Sequence, residues 1–404
     1  MVRLFYAPRI FPGNRPPMRD GAVLIGPGGQ VVAVGPYRSL RRQFPEAPVA
    51  GFSGALAPGF VNAHVHLELS HLRGRIRPGA GLAGFIGAVR LLRQEADDSR
   101  RRAAIEEAIA ALRAEGVVAV GDIGNTTEAW EVARRRDLRG YFFLERFGWS
   151  PEQAEAIWQE AQDRLRREAF EEEADRRYGI TVHALYSTSA PLIERVLRTN
   201  ARRGRPTSIH MLESEAEREL FQHGRGPLAE LLGELGLMRP GWRPPGESPL
   251  RWLLRRLRRG QRLLLVHMTV ASEEEMDLLA SFPKAVVVLC PKSNRYIEGR
   301  LPPLSGLLRR QLPVAVGTDS LASNDRLSIW EELLELGRAF PELTLERAIQ
   351  MATWHGARAL GMERRLGALA PGRRPGLLWL EGELDNWTYP EAVRVHALRE
   401  EQGL

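Results

Sequence analysis

The sequence predicts an α/β protein, a (β/α)8 barrel of the TIM type with a small β-sandwich built from both chain termini. Two observations carry that expectation. From Phe60 onward, short apolar segments alternate with long amphipathic ones, as parallel βα units require. Before Phe60 and after about residue 365, the chain instead carries short β-type runs between Gly and Pro turns. We therefore expect a composite β unit over residues 1–57 plus 366–404 and a barrel over 58–365.

Eight apolar segments qualify as barrel strands: Phe60 to His66, Val117 to Asp122, Arg139 to Glu145, Ile180 to Ser187, Thr207 to Glu213, Arg262 to Met268, Ala285 to Cys290 and Pro313 to Asp319. Between them, Arg101 to Glu115, Pro151 to Arg176, Pro191 to Arg203 and Ser272 to Ser281 repeat apolar positions three or four apart and read as helices. A last helical stretch runs from Thr344 to Leu360. The β unit shows runs such as Ala22 to Ile25, Val31 to Val34 and Leu377 to Leu380. Residues 239–246, rich in Pro and Gly, read as an irregular loop.

With 404 residues and 44% hydrophobic composition, the chain can bury a barrel-sized core. A single cysteine, Cys290, excludes an internal disulfide framework and a cysteine-rich zinc site. Any metal must then be held by His and carboxylate groups. The first residues lack the pattern of a signal peptide, and no stretch is apolar for a membrane span, so a soluble cytoplasmic protein without membrane contact is expected. The net charge of +7 comes almost wholly from arginine. Arginine clusters alternate with acidic blocks such as Glu171-Glu172-Glu173, which reads as solvated helix faces rather than a nucleic-acid surface.

The strand ends hold the chemistry. His64 and His66 lie two residues apart at the end of the first strand, where an extended chain points both side chains to one face. Taken alone, His-x-His is equally compatible with a half-buried strand. His183, however, lies in the expected fourth strand, His210 and Glu213 close the fifth, His267 the sixth and Asp319 the eighth. Catalytic groups of such barrels sit at these ends. His64, His66, His210 and Asp319 together would hold one divalent ion with room for a water, zinc first, with iron or manganese also compatible. Glu213, three residues beyond a ligand, is placed to move protons, although it also suits a helix N-terminus. The only lysines are Lys284 and Lys292, so no lysine is present in the fourth strand to bridge two metals, and one metal is expected.

These motifs, Pro58 to His66, His210 to Ser214, Val266-His267 and Gly317 to Asn324, resemble the amidohydrolase superfamily, in its cytosine-deaminase and chlorohydrolase-like branch. The resemblance implies the same metal ligands, a proton shuttle at Glu213, contact of His267 with the attacking water, and Asp319 acting also as a base. Within the branch, His66 to Leu72, Trp242 to Pro249 and Cys290 to Asn294 are similar to aminodeoxyfutalosine deaminases of the futalosine route to menaquinone. That implies hydrolysis of the 6-amino group of a purine nucleoside whose ribose bears a carboxyphenyl-propanone arm. Relatives acting on S-adenosylhomocysteine, methylthioadenosine, other amines or chlorinated triazines share most of these motifs. A purine-binding barrel with a structural metal is the reading from a different class, and the full set of Glu213, His267 and Asp319 argues against it.

Candidate substrate contacts are His183 and Tyr186, which sit in His-Ala-Leu-Tyr where relatives often have His-Ala-Pro-Tyr, together with Ser320 and His71. Arg146 and Arg295, just past the third and seventh strands, are candidates for a substrate carboxylate because the guanidinium fork fits one. A homodimer is compatible with the sequence, which carries no signal for oligomeric state.

Overall fold

The computed structural model describes residues 2–168, 172–238, 242–258, 260–384 and 393–398. Five strands open the chain: β1 (Arg3–Ile10), β2 (Met18–Ile25), β3 (Val31–Pro36), β4 (Val49–Gly51) and β5 (Ala55–Ala57). Eight parallel strands follow: β6 (Phe60–Val65), β7 (Val117–Gly124), β8 (Arg139–Arg146), β9 (Arg176–Val182), β10 (Thr207–Met211), β11 (Leu263–His267), β12 (Ala285–Leu289) and β13 (Val314–Val316). The last two strands are β14 (Leu377–Glu381) and β15 (Arg394–Leu398).

Strands β6 to β9 pair in sequence order, as do β10 to β13. Two parallel bridges, Ala184 to His210 and Val65 to Asp319, join the halves and close the ring. Both bridges lie at strand exits and both contain an expected metal ligand, so the barrel closes at the site itself. The strand sequences explain their burial. On β8, Tyr141 and Phe143 join the barrel interior with Val61, Ala63, Val266 and Val288, while Phe142 and Leu144 face the layer of helices. Period-two alternation thus feeds two apolar layers, and strands buried on both sides read as unbroken apolar runs.

The β unit from the two termini takes the form of one seven-stranded sheet, with order β15-β14-β5-β1-β2-β3 and β4 also paired to β1. The C-terminal strand β14 pairs antiparallel with β5 from the N-terminus, placing Trp379 opposite Leu56. One face carries Phe5, Ile10, Val23 and Leu377, and the other carries Leu4, Leu24 and the helix residue Leu40.

Several element boundaries differ from expectation, most of all around the fourth barrel strand. The helix expected over Pro151 to Arg176 ends at Arg167, and β9 starts at Arg176. Arg176-Arg177-Tyr178 pair with β8 in spite of their charge, which hides the strand's start from a reading based on hydrophobicity. The same strand ends at Val182, because Ala184 to Ser187 close a turn in which the Ser187 N–H donates to the Ala184 carbonyl at 3.3 Å. His183 therefore stands just beyond its strand. Of the expected loop at 239–246, residues 242–246 are irregular and 239–241 lie outside the described residues.

Candidate metal centre and active site

Strand geometry delivers the ligands. His64 on β6 and His66 one step past it sit at one mouth of the barrel, with His210 on β10 and Asp319 beyond β13. His66 Nε2 and His210 Nε2 are 3.3 Å apart. Asp319 Oδ1 lies 3.6 Å from His66 Nε2 and 3.8 Å from His64 Nε2. Donor atoms of His64, His66 and Asp319 all fall within 4.8 Å of one another, and so do those of His64, His210 and His267. The eighth strand can pass so close only because it carries Gly317. A Cβ there would meet the His64 carbonyl oxygen at 2.7 Å and the His64 Cβ at 2.8 Å.

The residues fit a bound cation. His64 is fully buried, and neither of its ring nitrogens has a hydrogen-bond partner. Leaving such an atom buried and unmatched is unfavourable by about 1–3 kcal/mol, a penalty that a metal ion on Nε2, the nitrogen facing Asp319, would remove there. Burial also keeps the imidazoles neutral, as metal ligation requires. It holds His64 well below the usual histidine range, helped by the neighbouring imidazoles, and takes His66 and His267 down to about 3 and His183 to about 4.

Supporting bonds orient the set. His210 Nδ1 donates to the His183 carbonyl at 2.9 Å, which leaves Nε2 free to ligate. Asp319 Oδ2 accepts from Ser293 Oγ at 2.5 Å and Ser323 Oγ at 3.1 Å, so Oδ1 is the oxygen turned to the histidines. The Asn294 amide donates to His267 Nδ1 at 3.0 Å. His267 then carries its proton on Nε2, 3.6 Å from Glu213 Oε1. Glu213 is buried, and burial, reinforced by Asp319 and Glu217, pushes its carboxyl well above the usual range. Its own backbone N–H donates to Glu217 Oε2 at 3.0 Å. Leu212, His267, Met268 and Asp319 all have positive φ, between 49° and 78°. Non-glycine residues in that region are uncommon and gather where a site over-determines the backbone.

The other expected contacts divide. His183 joins the cluster, its ring centroid 4.7 Å from that of His210, and Tyr186 lies 5.5 Å from His183 with its hydroxyl buried and unmatched. Ser320 Oγ is likewise buried without a partner. His71 sits in the 3-10 turn Leu67–Leu72, its Nδ1 donating to the Glu68 carbonyl at 3.0 Å, and it belongs to none of the ligand groups. Both arginines are already paired. Arg146 sends Nε and Nη2 to Glu160 Oε2 at 3.0 and 2.9 Å, and Arg295 pairs with Glu335.

Several groups at the mouth carried no signal of their own in the sequence. Glu145 at the end of β8 lies with His183 and His210 in a third group of donors. Glu68, within the stretch His66 to Leu72, accepts from Arg93 Nη2 at 3.0 Å and the Asn125 N–H at 2.9 Å. Ser293, Asn294 and Ser323 stand inside motifs quoted above, but their partners lie 25 or more residues away or across a turn, beyond the reach of spacing arguments.

Comparisons with known proteins show the family. Residues 55–395 match the model of the Amidohydrolase family. The chain is 28% identical over 376 residues to the aminodeoxyfutalosine deaminase of Deinococcus radiodurans, covering 90% of this chain and 85% of that protein. It superposes with a TM-score of 0.82 and 25% identity on the Helicobacter pylori aminofutalosine deaminase in complex with methylthio-coformycin, covering 96% of this chain and 94% of that one. An adenosine deaminase from Xanthomonas campestris with bound zinc is similar at a TM-score of 0.71 and 25% identity, with 94% and 84% covered.

Proposed function

The chain belongs to the amidohydrolase family, and from that premise we propose that it removes the 6-amino group of 6-amino-6-deoxyfutalosine by metal-dependent hydrolysis, in the futalosine route to menaquinone. The observation that carries the reading is the buried, unmatched His64 ring among His66, His210 and Asp319, with Glu213 and His267 alongside. The Deinococcus and Helicobacter relatives support the substrate. Residues 58–365 would form the catalytic barrel, and 1–57 with 366–404 the accessory unit.

His64, His66, His210 and Asp319 would hold one divalent ion, zinc by preference. When bound, such an ion lowers the pKa of a coordinated water towards neutrality. Burial raises the Glu213 carboxyl, which favours its protonated form, and from that form it can pass a proton to a ring nitrogen of the purine as water adds at C6. His267 Nε2–H offers a hydrogen bond to the oxygen arriving at C6. Asp319, oriented by Ser293 and Ser323, accepts a proton from that oxygen and delivers it to the amino group. The C6–N bond then breaks and ammonia leaves, while the proton still on the oxygen returns to Glu213, so that a carbonyl remains and the enzyme is restored.

The test is ammonia release from aminodeoxyfutalosine beside S-adenosylhomocysteine, methylthioadenosine, adenosine and guanine, on protein of assayed metal content. A preference of orders of magnitude in kcat/KM for aminodeoxyfutalosine is expected. If another amine is preferred, the substrate assignment fails while the deaminase chemistry stands.

A further inference from the structure

Phe147 directly follows β8 at the barrel mouth and is 50% exposed, the one exposed aromatic side chain among the described residues. A lone exposed apolar residue needs no explanation. Phe147, however, does not stand alone. Its ring lies edge-on to His183 at 6.4 Å and 72°, and His183 in turn lies 4.7 Å from the metal ligand His210. A line of rings thus leads from the metal cluster out to water and ends in an open aromatic face.

The face is held in place. The Gly148 N–H donates to the Ser187 carbonyl at 2.9 Å, and the Ser189 N–H donates to the Gly148 carbonyl at 2.7 Å, so a parallel bridge ties Gly148 to Thr188. These bonds fix the exit of β8 against the turn that carries His183. Behind it, Trp149 packs on Trp242 at 5.2 Å and 68°, which leaves Phe147 as the outward ring. The polar ends of Arg146 are meanwhile taken up by Glu160.

Resting on the purine-nucleoside reading above, we propose that Phe147 is a specificity-determining residue that takes a flat aromatic group borne on the sugar side of the nucleoside against its open face. With the base at the metal cluster, the arm of the nucleoside would extend along His183 to this ring. Stacking two rings there removes apolar area from water on both and adds the attraction of an aromatic pair.

The experiment compares wild type with Phe147→Ala, Phe147→Leu and Phe147→Tyr, all metal-loaded. Substrates are 5′-phenylthioadenosine, aminodeoxyfutalosine, methylthioadenosine and adenosine. The readout is the ratio of kcat/KM for each aryl-bearing nucleoside to that for adenosine. We expect this ratio to fall about tenfold in Phe147→Ala and Phe147→Leu and to hold in Phe147→Tyr. An unchanged ratio in both aliphatic variants overturns the proposal, including the case where all rates drop together because the loop is disturbed. A wild type that favours 5′-phenylthioadenosine over adenosine yet ignores aminodeoxyfutalosine, with that preference lost in both aliphatic variants, supports the role of Phe147 and removes the assigned substrate. A wild type with no preference for either aryl arm overturns the Phe147 assignment and leaves the deaminase reading standing.

Discussion

At the scale of single residues, the site depends on a division of labour set by burial and neighbours. His64 and Glu213 are both buried, and burial drives their pKa values in opposite senses: it lowers the imidazole, favouring the neutral form a metal needs, and raises the carboxyl, favouring the protonated form a proton donor needs. Replacing Glu213 with Gln preserves shape and leaves the ligand set intact. We expect Glu213→Gln to retain its metal, measured by elemental analysis, while kcat for ammonia release falls by roughly 10² to 10⁴. A variant with near wild-type turnover would remove Glu213 from the mechanism. Asp122 offers a second residue-level test. Burial pushes its carboxyl up to about 8, and it accepts from the Leu67 N–H at 3.0 Å, just past His66. Because the folded pKa is raised, the native state keeps a proton that the unfolded chain releases. The group's contribution is complete below about 3.8 and is lost as pH rises through 8. Asn does not titrate, so the stability of Asp122→Asn relative to wild type should grow between pH 4 and 8, by up to ~1.4 kcal/mol per unit. Urea denaturation at pH 5 and pH 8 reads the sign, and a flat difference would show an ordinary carboxylate.

At the scale of elements, the barrel mouth is defined by how closely strands pass. The last strand reaches the first through the Val65 to Asp319 bridge, with the Thr318 and Asp319 N–H groups donating to the His64 carbonyl at 3.0 and 3.1 Å. Gly317 makes that approach possible. A methyl group there must push the eighth strand away from His64, since the obstructing atoms belong to backbone and Cβ rather than to a flexible tip. Gly317→Ala is expected to destabilise the fold by ~1–3 kcal/mol and to lower metal content together with it. Thermal unfolding with parallel metal analysis checks this, and full metal loading at wild-type Tm would show that the strands have room to spare. The helix after β10 works in the same way: Ser214 caps it by accepting from the Ala216 N–H at 2.9 Å, which fixes where Glu213 leaves the strand.

At the scale of the whole molecule, His64, His66, His210 and Asp319 come from strands far apart in the chain, so an ion held by them would tie the two halves of the barrel together. Anything bound by the native state alone stabilises it by mass action, about 2.7 kcal/mol at a hundredfold excess over Kd. Chelation should therefore lower Tm, and adding back zinc should restore it. A Tm indifferent to chelator would mean that the four ligands hold no ion in solution. The terminal sheet takes part in this unity, because β14 pairs with β5, only a few residues before the first ligand-bearing strand.

Much of this was legible in the chain itself. Parallel strands buried on both faces must be apolar throughout, so eight of them stand out, and i, i+2 spacing puts His64 and His66 on one face whatever surrounds them. Residues at strand exits were likewise recognisable, because a barrel gathers those exits at one end. Spacing does not describe contact between distant segments, and there the tertiary structure decided. It filled the guanidinium of Arg146 with Glu160 and that of Arg295 with Glu335, neither of which any local pattern couples to them. It placed the charged start of β9 in the sheet, left His71 outside the ligand groups, and turned Ser293 and Ser323 onto Asp319. The open face of Phe147 is of the same kind. Alternation along a strand determines which side a residue takes, but only the packing of other segments determines whether that side is covered.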